Sequence, residues 1–429
     1  MTKPTRSTSK LTRDLHVVSL FSGCGGMDLG FEGDFSVLKS SINENQEPQF
    51  IQRYLKDDFV QLRKTRFKTV FANDILKEAR NAWVHHFAKR GHPSNTYRHD
   101  SIVDLVKQHL NGEQVFPKKV DVVIGGFPCQ DFSLAGKRNG FKSHKNHKGE
   151  IMTDHKASAE SRGQLYMWMK QVIEITQPNI FIAENVKGLV NLANVKDIIQ
   201  KDFATAGNDG YIVLNPQVLH AANYGVPQSR ERVFFIGIKK SALTPKALKE
   251  LGKEKISNSF NPYPKPSHSY NIEGEDLKKP VQLQELFKTI QEPSLSDDLS
   301  QKSYSKAKFM GVHCQGQIEI KPMGISPTIR AEHHGNIEFR RLSKLNEGVQ
   351  WQELDRGLKE RRLTPRECAL IQTFPMDYEF VIPKENGGRN RYLVSPSMAY
   401  KVIGNAVPPL LAFHLANRLE QVWDLYFQK

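Results

Sequence analysis

The chain has 429 residues, 38% of them hydrophobic, enough for one large core and a second smaller one. Lys and Arg total 61 against 46 Asp and Glu, a formal charge of +15 that points to a polyanionic partner without separating DNA from RNA. The polar, basic stretch Met1 to Lys10 has no apolar leader and no run approaches the ~18 apolar residues of a membrane span, so a soluble intracellular protein is expected.

Residues 17–21 (VVSLF) form a short apolar strand that stops at Gly23, Gly25 and Gly26. TVFAND (69–74) is a second strand ending in an acid. VDVVIGGF (120–127) is a continuous apolar run ending in glycines, the pattern of a strand buried on both faces. NIFIAENV (179–186), YIVLNPQVL (211–219) and RVFFIGI (232–238) are of the same kind. Helical patterns such as LKEARNAWVHHF (76–87) and LYMWMKQVIEIT (165–176) lie between them. The alternation predicts an α/β fold over residues 1–240, a mostly parallel sheet covered on both faces.

Residues 241–345 turn to Ser, Pro, Lys and short polar stretches. Aromatic and aliphatic residues still recur there, so a separate, less regular unit is expected rather than disorder. Order returns near the C-terminus, where Ser395-Pro396 reads as N-cap and first helical residue and Gly404 as the helix end. Pro408-Pro409 opens a last helix with Leu411, Leu415, Leu419, Val422 and Tyr426 on one apolar face. That face needs a surface, and the first sheet is the obvious one. Residues 393–429 should therefore complete the first domain, leaving 241–392 as a second domain with its hinge.

Four cysteines (Cys24, Cys129, Cys314, Cys368) lie far apart without a C-x-x-C pair, which argues against a disulfide framework or a structural zinc site. No metal is expected. LFSGCGG (20–26) places glycines at a strand-to-helix turn where backbone can approach a ligand, although a plain tight turn reads the same way. Asp74 ends the next strand, placed for both hydroxyls of a ribose, and Asp100 in RHDSI is placed to accept from an adenine amino group. In this order they suggest an adenosine cofactor, and the missing pyrophosphate fingerprint favours S-adenosylmethionine over NAD.

Cys129 follows Pro128 in GGFPCQDFS (125–133). A cysteine there can be a small buried hydrophobe, but this one leaves a strand end in a polar loop. Residues 136–149 then carry Lys137, Arg138, Lys142, Lys145 and Lys148 and no acid. Positive surroundings lower a thiol pKa and also hold phosphates. Glu184 terminates the strand in IAENV (182–186), with a helix cap or an ion pair as the plain alternative. In QSRERVFF (228–235), Arg230 and Arg232 alternate and so project to one side, with pairing to Glu231 as the alternative.

The order FSGCGG, PCQ, ENV, Q-x-R-x-R, RLTPRE and GNAV resembles the DNA cytosine-C5 methyltransferases, from residue 17 to about 420. The resemblance implies the Rossmann-like fold of S-adenosylmethionine-dependent methyltransferases with a smaller, irregular target-recognition domain. It also implies methyl transfer from S-adenosyl-L-methionine to C5 of a cytosine flipped out of double-stranded DNA. Cytosine C5 is too weakly nucleophilic to attack a methyl sulfonium unaided. A thiolate adding to C6 turns the ring into an enamine, and Cys129 matches that family nucleophile. Glu184 matches the acid at N3, and Asn185 the residue supporting this segment. Arg230 and Arg232 match the arginines that contact O2 and brace the nucleophile loop.

On the cofactor side, Phe21 matches the aromatic against the adenine, and Gly23, Gly25 and Gly26 match the turn. Asp74 matches the ribose acid, more usually Glu in the family, and Asp100 the adenine contact. Pro128 borders the pocket, and Asn405 and Val407 match residues at its methionine end. Residues ~241–360 hold the place of target recognition, where HHGNIEFRR (333–341) offers charge and amides suited to base edges. His333 and His334 project apart and are expected at the surface. RLTPRECALIQTFP (362–375) matches the family's buttress to this region.

Extra residues at 34–68 and 142–160 depart from the family pattern. The plan without appended chromatin-type modules is similar to bacterial restriction-modification enzymes. That implies a cytoplasmic, nucleoid-associated monomer, protecting host DNA from a cognate restriction endonuclease with which it forms no stable complex. A tRNA cytosine-C5 methyltransferase of the DNA-enzyme type is the alternative, although that branch lacks so long a recognition region. A decayed, non-catalytic DNA-binding regulator is disfavoured by the intact Cys129, Glu184, Arg230 and Arg232.

Overall fold

The computed structural model describes residues 13–128, 165–191, 194–311, 313–331, 336–385 and 391–427. Cys129, the basic segment after it, the extra residues 142–160, and His333 and His334 lie outside the described residues.

From the N-terminus, β1 (Leu15–Leu20) leads through α1 (Gly26–Glu32) to three short strands, β2 (Ser36–Leu38), β3 (Ile51–Tyr54) and β4 (Phe59–Leu62). Then come β5 (Phe67–Asn73), α2 (Lys77–Ala88), β6 (Tyr97–Arg98), α3 (Ile102–Leu110) and β7 (Val122–Gly126). Beyond residue 164 follow α4 (Leu165–Thr176), β8 (Ile180–Val186), α5 (Val195–Ala204), β9 (Tyr211–Val213), β10 (Gln217–His220) and β11 (Glu231–Lys239). The strand order is β10-β11-β8-β7-β1-β5-β6, with β9 also on β11. The strands from β8 to β6 are parallel, whereas β11 runs antiparallel to β8, β9 and β10. The expected parallel sheet is thus closed at one side by an antiparallel group. The predicted strand 211–219 is two strands, since Pro216 between them has no N–H to give a ladder.

Continuous apolar runs are explained by burial on both faces. Val17, Val122, Ile124, Ile180 and Ile182 join one hydrophobic cluster with Trp83 and Phe87 of α2. Their neighbours Val18, Val123, Phe181 and Ala183 join the other, with α3, α4 and α5. Because β1 lies between β5 and β7, the chain changes direction across the sheet there. In an open α/β sheet, the crevice at such a reversal, beyond the carboxyl ends of the strands, is where ligands bind.

After β11 the chain runs through short helices α6 (Pro245–Leu251), α7 (Leu283–Phe287), α8 (Leu299–Lys302) and α9 (Trp351–Asp355). Small ladders pair β12 (Phe339–Arg341) with β13 (Arg361–Arg362), and β14 (Ile382–Pro383) with β15 (Tyr392–Val394). This stretch is irregular, as expected, yet Phe260, Tyr263, Leu283 and Leu286 bury in the same cluster as β1 and α2. In α10 (Pro365–Ile371), Thr364 and Glu367 form a capping box.

Helix α11 (Pro396–Asn405) is capped by Ser395, which accepts from the Met398 N–H, and runs one residue past Gly404. The last helix, α12 (Pro409–Tyr426), buries the expected face completely, but Leu410, Ala412, Phe413 and Ala416 are buried too. For Phe413 the extra residues near 34–68 account for this. They fold into the β2-β4-β3 sheet, and Phe35 and Phe50 meet the Phe413 ring edge-on at 5.9 and 5.1 Å. Helix α1 comes so close to α12 that a Cβ on Gly30 would stand 2.3 Å from the Pro409 carbonyl oxygen.

Candidate active site

The turn after β1 sits at the crevice. Phe21, Gly23 and Gly25 all have left-handed backbone (φ 51°, 56° and 81°), which glycine adopts freely and phenylalanine only at a cost. A Cβ on Gly25 would stand 2.6 Å from Trp83 Cδ1, and one on Gly26 2.2 Å from the Val407 carbonyl oxygen. Above Gly23 nothing lies within 4 Å, so the turn offers bare backbone there. Val407 is therefore brought against the turn, with Asn405 exposed at the end of α11.

Asp74, one residue beyond β5, is tied to this turn. Its carboxylate accepts from the Gly23 N–H at 3.1 Å and from the Leu76 N–H at 2.9 Å. Burial raises its pKa, partly opposed by these backbone bonds. Asp100 follows β6, and its carboxylate accepts from Arg98 Nε at 3.1 Å while both stay partly exposed. Phe21, the glycines, Asp74 and Asp100 thus gather at the carboxyl ends of β1, β5 and β6.

A hydrogen-bond chain that sequence reasoning missed joins these ends. Ser19 Oγ donates to buried Asp28 at 3.2 Å, and Ser22 Oγ donates to the Ser19 carbonyl at 2.9 Å. The Asn73 N–H donates to Ser22 Oγ at 3.1 Å, and Asn73 Nδ2 to the Asp100 carbonyl at 2.8 Å. The available signal was polar Ser19 and Asn73 inside otherwise apolar strands, both buried here. Such residues need partners.

Across the crevice, Glu184 of β8 lies opposite Gly126 of β7 in parallel register. A Cβ on Gly126 would stand 2.7 Å from Glu184 Oε2, so glycine makes room for the carboxyl. Asn185 Nδ2 donates to the Phe127 carbonyl at 3.1 Å. Two neighbouring residues of β8 therefore brace the strand end that runs on to half-buried Pro128 and, in sequence, to Cys129. Arg232 places Nε 2.9 Å from Glu184 Oε1. Burial pushes the Glu184 carboxyl above the usual range, against the pull of Arg232 and then Arg230. A carboxyl so placed keeps a proton at pH values where an exposed glutamate has lost it, and can donate it.

The two arginines divide their partners. Arg230 is buried and donates to the Ile329 carbonyl at 3.1 Å and the Gly404 carbonyl at 3.0 Å. Glu231 pairs with Lys187 at 2.8 Å rather than with either arginine. The expectation that the 333–341 segment presents its arginines to bases is corrected. Arg340 and Arg341 are buried, the first on Glu353 at 2.7 Å and the second on Glu292 at 2.8 Å. Glu292 also takes Arg361, which pairs with Glu367 at 2.8 Å. Buried guanidinium groups are costly unless paired, so these charges build the region's interior.

The sheet order, its crevice and the turn after β1 define the Rossmann-like class of S-adenosylmethionine-dependent methyltransferases. Within it, the model of the C-5 cytosine-specific DNA methylase family matches residues 15–421, and the chain belongs to that family. It is therefore a DNA cytosine-C5 methyltransferase. The chain is 32% identical to the Type II methyltransferase M.BsuRI of Bacillus subtilis, over 95% of this chain and 79% of that protein. Identity to the Type II methyltransferase M.BspRI of Lysinibacillus sphaericus is 31%, over 95% and 81%. Among solved structures, DNMT2 of Spodoptera frugiperda shares the fold with a TM-score of 0.53 at 18% identity, over 95% of this chain and 99% of that one. No described helix is long and apolar enough to cross a membrane.

Proposed function

We propose that this protein flips a cytosine out of double-stranded DNA, adds the Cys129 thiolate to C6 and transfers a methyl group from S-adenosyl-L-methionine to C5. The observation that carries the reading is the Glu184–Arg232 pair at 2.9 Å, packed on Gly126 three residues before Cys129. A stacked base cannot meet a thiolate, so it must leave the duplex at a cost of a few kcal/mol. As sulfur bonds to C6, electron density moves toward N3 and C5, and the protonated Glu184 carboxyl donates at N3. Arg232 keeps that carboxyl oriented and has N–H groups left for O2, while Arg230 braces the segment. Loss of the C5 proton to water after methylation breaks the C6–S bond and frees the thiolate, and the N3 proton returns to Glu184.

The cofactor, when bound, supplies an electrophilic methyl group on a sulfonium. Residues that fit its adenosyl part are Phe21, the bare backbone at Gly23, Asp74 for the ribose and Asp100 for the adenine. Gly25, Gly26, Pro128, Asn405 and Val407 border the methionine end. Residues 241–392 serve target recognition in this reading, and the +15 charge suits a phosphate backbone. The biological role is protection of cytoplasmic, nucleoid-associated DNA against a cognate restriction endonuclease, with the methyltransferase acting as a monomer.

Tritiated methyl incorporation into duplex DNA and tRNA, with bisulfite sequencing of DNA from expressing cells, tests this. Duplex methylation at one sequence motif, lost in Cys129→Ser, is expected. Duplex DNA carrying 5-fluorocytosine has no C5 proton to lose and should trap the wild type covalently but not the variant. Incorporation confined to tRNA, or full activity in Cys129→Ser, would overturn the proposal.

A further inference from the structure

The segment before β11 is fastened at one end to the region after residue 241 and at the other to the catalytic pair. Gln228 and Gln372, both with no exposure, face each other with their side-chain amides. Gln228 Nε2 donates to Gln372 Oε1 at 2.9 Å, and Gln228 Oε1 accepts from the Ile329 N–H at 3.0 Å. Gln372 Nε2 donates to the Ile403 carbonyl at 2.9 Å and to the Ala406 carbonyl at 3.3 Å. Neither amide can turn over without setting oxygen against oxygen, so the arrangement has one stable state.

Arg230 repeats the same link, since its guanidinium joins the Ile329 and Gly404 carbonyls. Backbone bonds add to it. Ser229 N–H donates to the Ser326 carbonyl at 2.8 Å, and Ser326 N–H to the Pro227 carbonyl at 2.9 Å. Thr328 Oγ1 donates to the Ser229 carbonyl. A Cβ on Gly404 would stand 2.1 Å from the Arg330 carbonyl oxygen, so residues 329–331 pass directly over the end of α11. Two residues beyond Arg230, Arg232 holds Glu184.

We propose that Gln228, Gln372 and Arg230 form a positioning clamp through which residues 326–331 set the Arg232–Glu184 pair, so that contact with the correct DNA sequence is read out as catalysis. The inference rests on 241–392 being the target-recognition region. A displacement of 326–331 would be passed through buried, fully bonded groups to the start of β11, and a shift of one ångström at a general acid is enough to lower its rate steeply. Gln228 and Gln372 touch neither base nor cofactor in this scheme and act only through Arg232.

The test uses Gln228→Met and Gln372→Met in the full chain, with Thr328→Val as a milder variant that cuts one link without orphaning a buried donor. Bisulfite sequencing of the wild type supplies the target duplex, and a second duplex changes one base pair outside the methylated cytosine. Expected are a drop in kcat on the target and a loss of discrimination between the duplexes by about five- to thirty-fold, with the cofactor KM unchanged. The clamp is refuted if folded variants keep both kcat and discrimination. It is equally refuted if kcat falls with discrimination intact and cofactor KM and Tm worsen together, the mark of general loosening. A wild type that methylates no duplex DNA would instead remove the functional reading beneath it.

Discussion

Glu184 shows how a residue's chemistry is set by competing terms. Burial favours its neutral form, while Arg232 at 2.9 Å and the charge of Arg230 favour the ionised one; burial prevails and its pKa rises. With the folded pKa raised, the protonated donor persists above the usual carboxylate range and is lost as pH climbs through the raised value, so kcat should fall on that alkaline limb. Glu184→Gln keeps a neutral donor of the same shape but cannot release a proton. It should lower kcat by about 10²–10⁴-fold and abolish the limb, read from single-turnover methylation between pH 5 and 9. A variant with wild-type kcat would show that the carboxyl is not the acid. The motifs singled out Glu184 and both arginines, but only the antiparallel register of β8 and β11, which sets Arg232 opposite Val186 two residues from Glu184, explains why Arg232 is the one that meets the carboxyl.

Among the elements, α1 and α12 bring the C-terminal part of the chain onto the glycine turn after β1. A glycine at residue 30 lets the helices touch backbone to backbone, and the same contact brings Val407 onto Gly26. Gly30→Ala would force the Cβ against the Pro409 carbonyl and Ala412, costing about 1–3 kcal/mol as overpacking does. The expected outcome is a Tm lowered by several degrees and a raised KM for the methyl donor with kcat less affected. An unchanged KM in a destabilised protein would separate the helix contact from the cofactor site. Periodicity in the sequence located α12 and its stripe, since helix and strand repeats are local. It did not show that the extra residues near 34–68 cover Phe413, because that depends on Phe35 and Phe50 reaching it from far along the chain.

At the scale of the molecule, the +15 charge should make DNA binding strongly salt-dependent. Neutralising ~6–10 phosphates implies a loss of about 10³–10⁵-fold in affinity between 50 and 200 mM salt. Fluorescence anisotropy on duplex DNA at several salt concentrations measures the slope; a flat response would remove phosphate contact as the source of affinity. Arg340, Arg341, Arg361 and Arg362 contribute little to it, since all four are buried. By itself the sequence determined the α/β class and the family through its ordered motifs, because apolar runs and short motifs are local properties of the chain. Only the tertiary structure decided which charges are spent inside. It also revealed the Ser19–Ser22–Asn73 chain beneath the glycine turn and the meeting of Gln228 with Gln372 across 144 residues. A buried polar group is satisfied by whatever the fold brings beside it, and no local pattern records that partner.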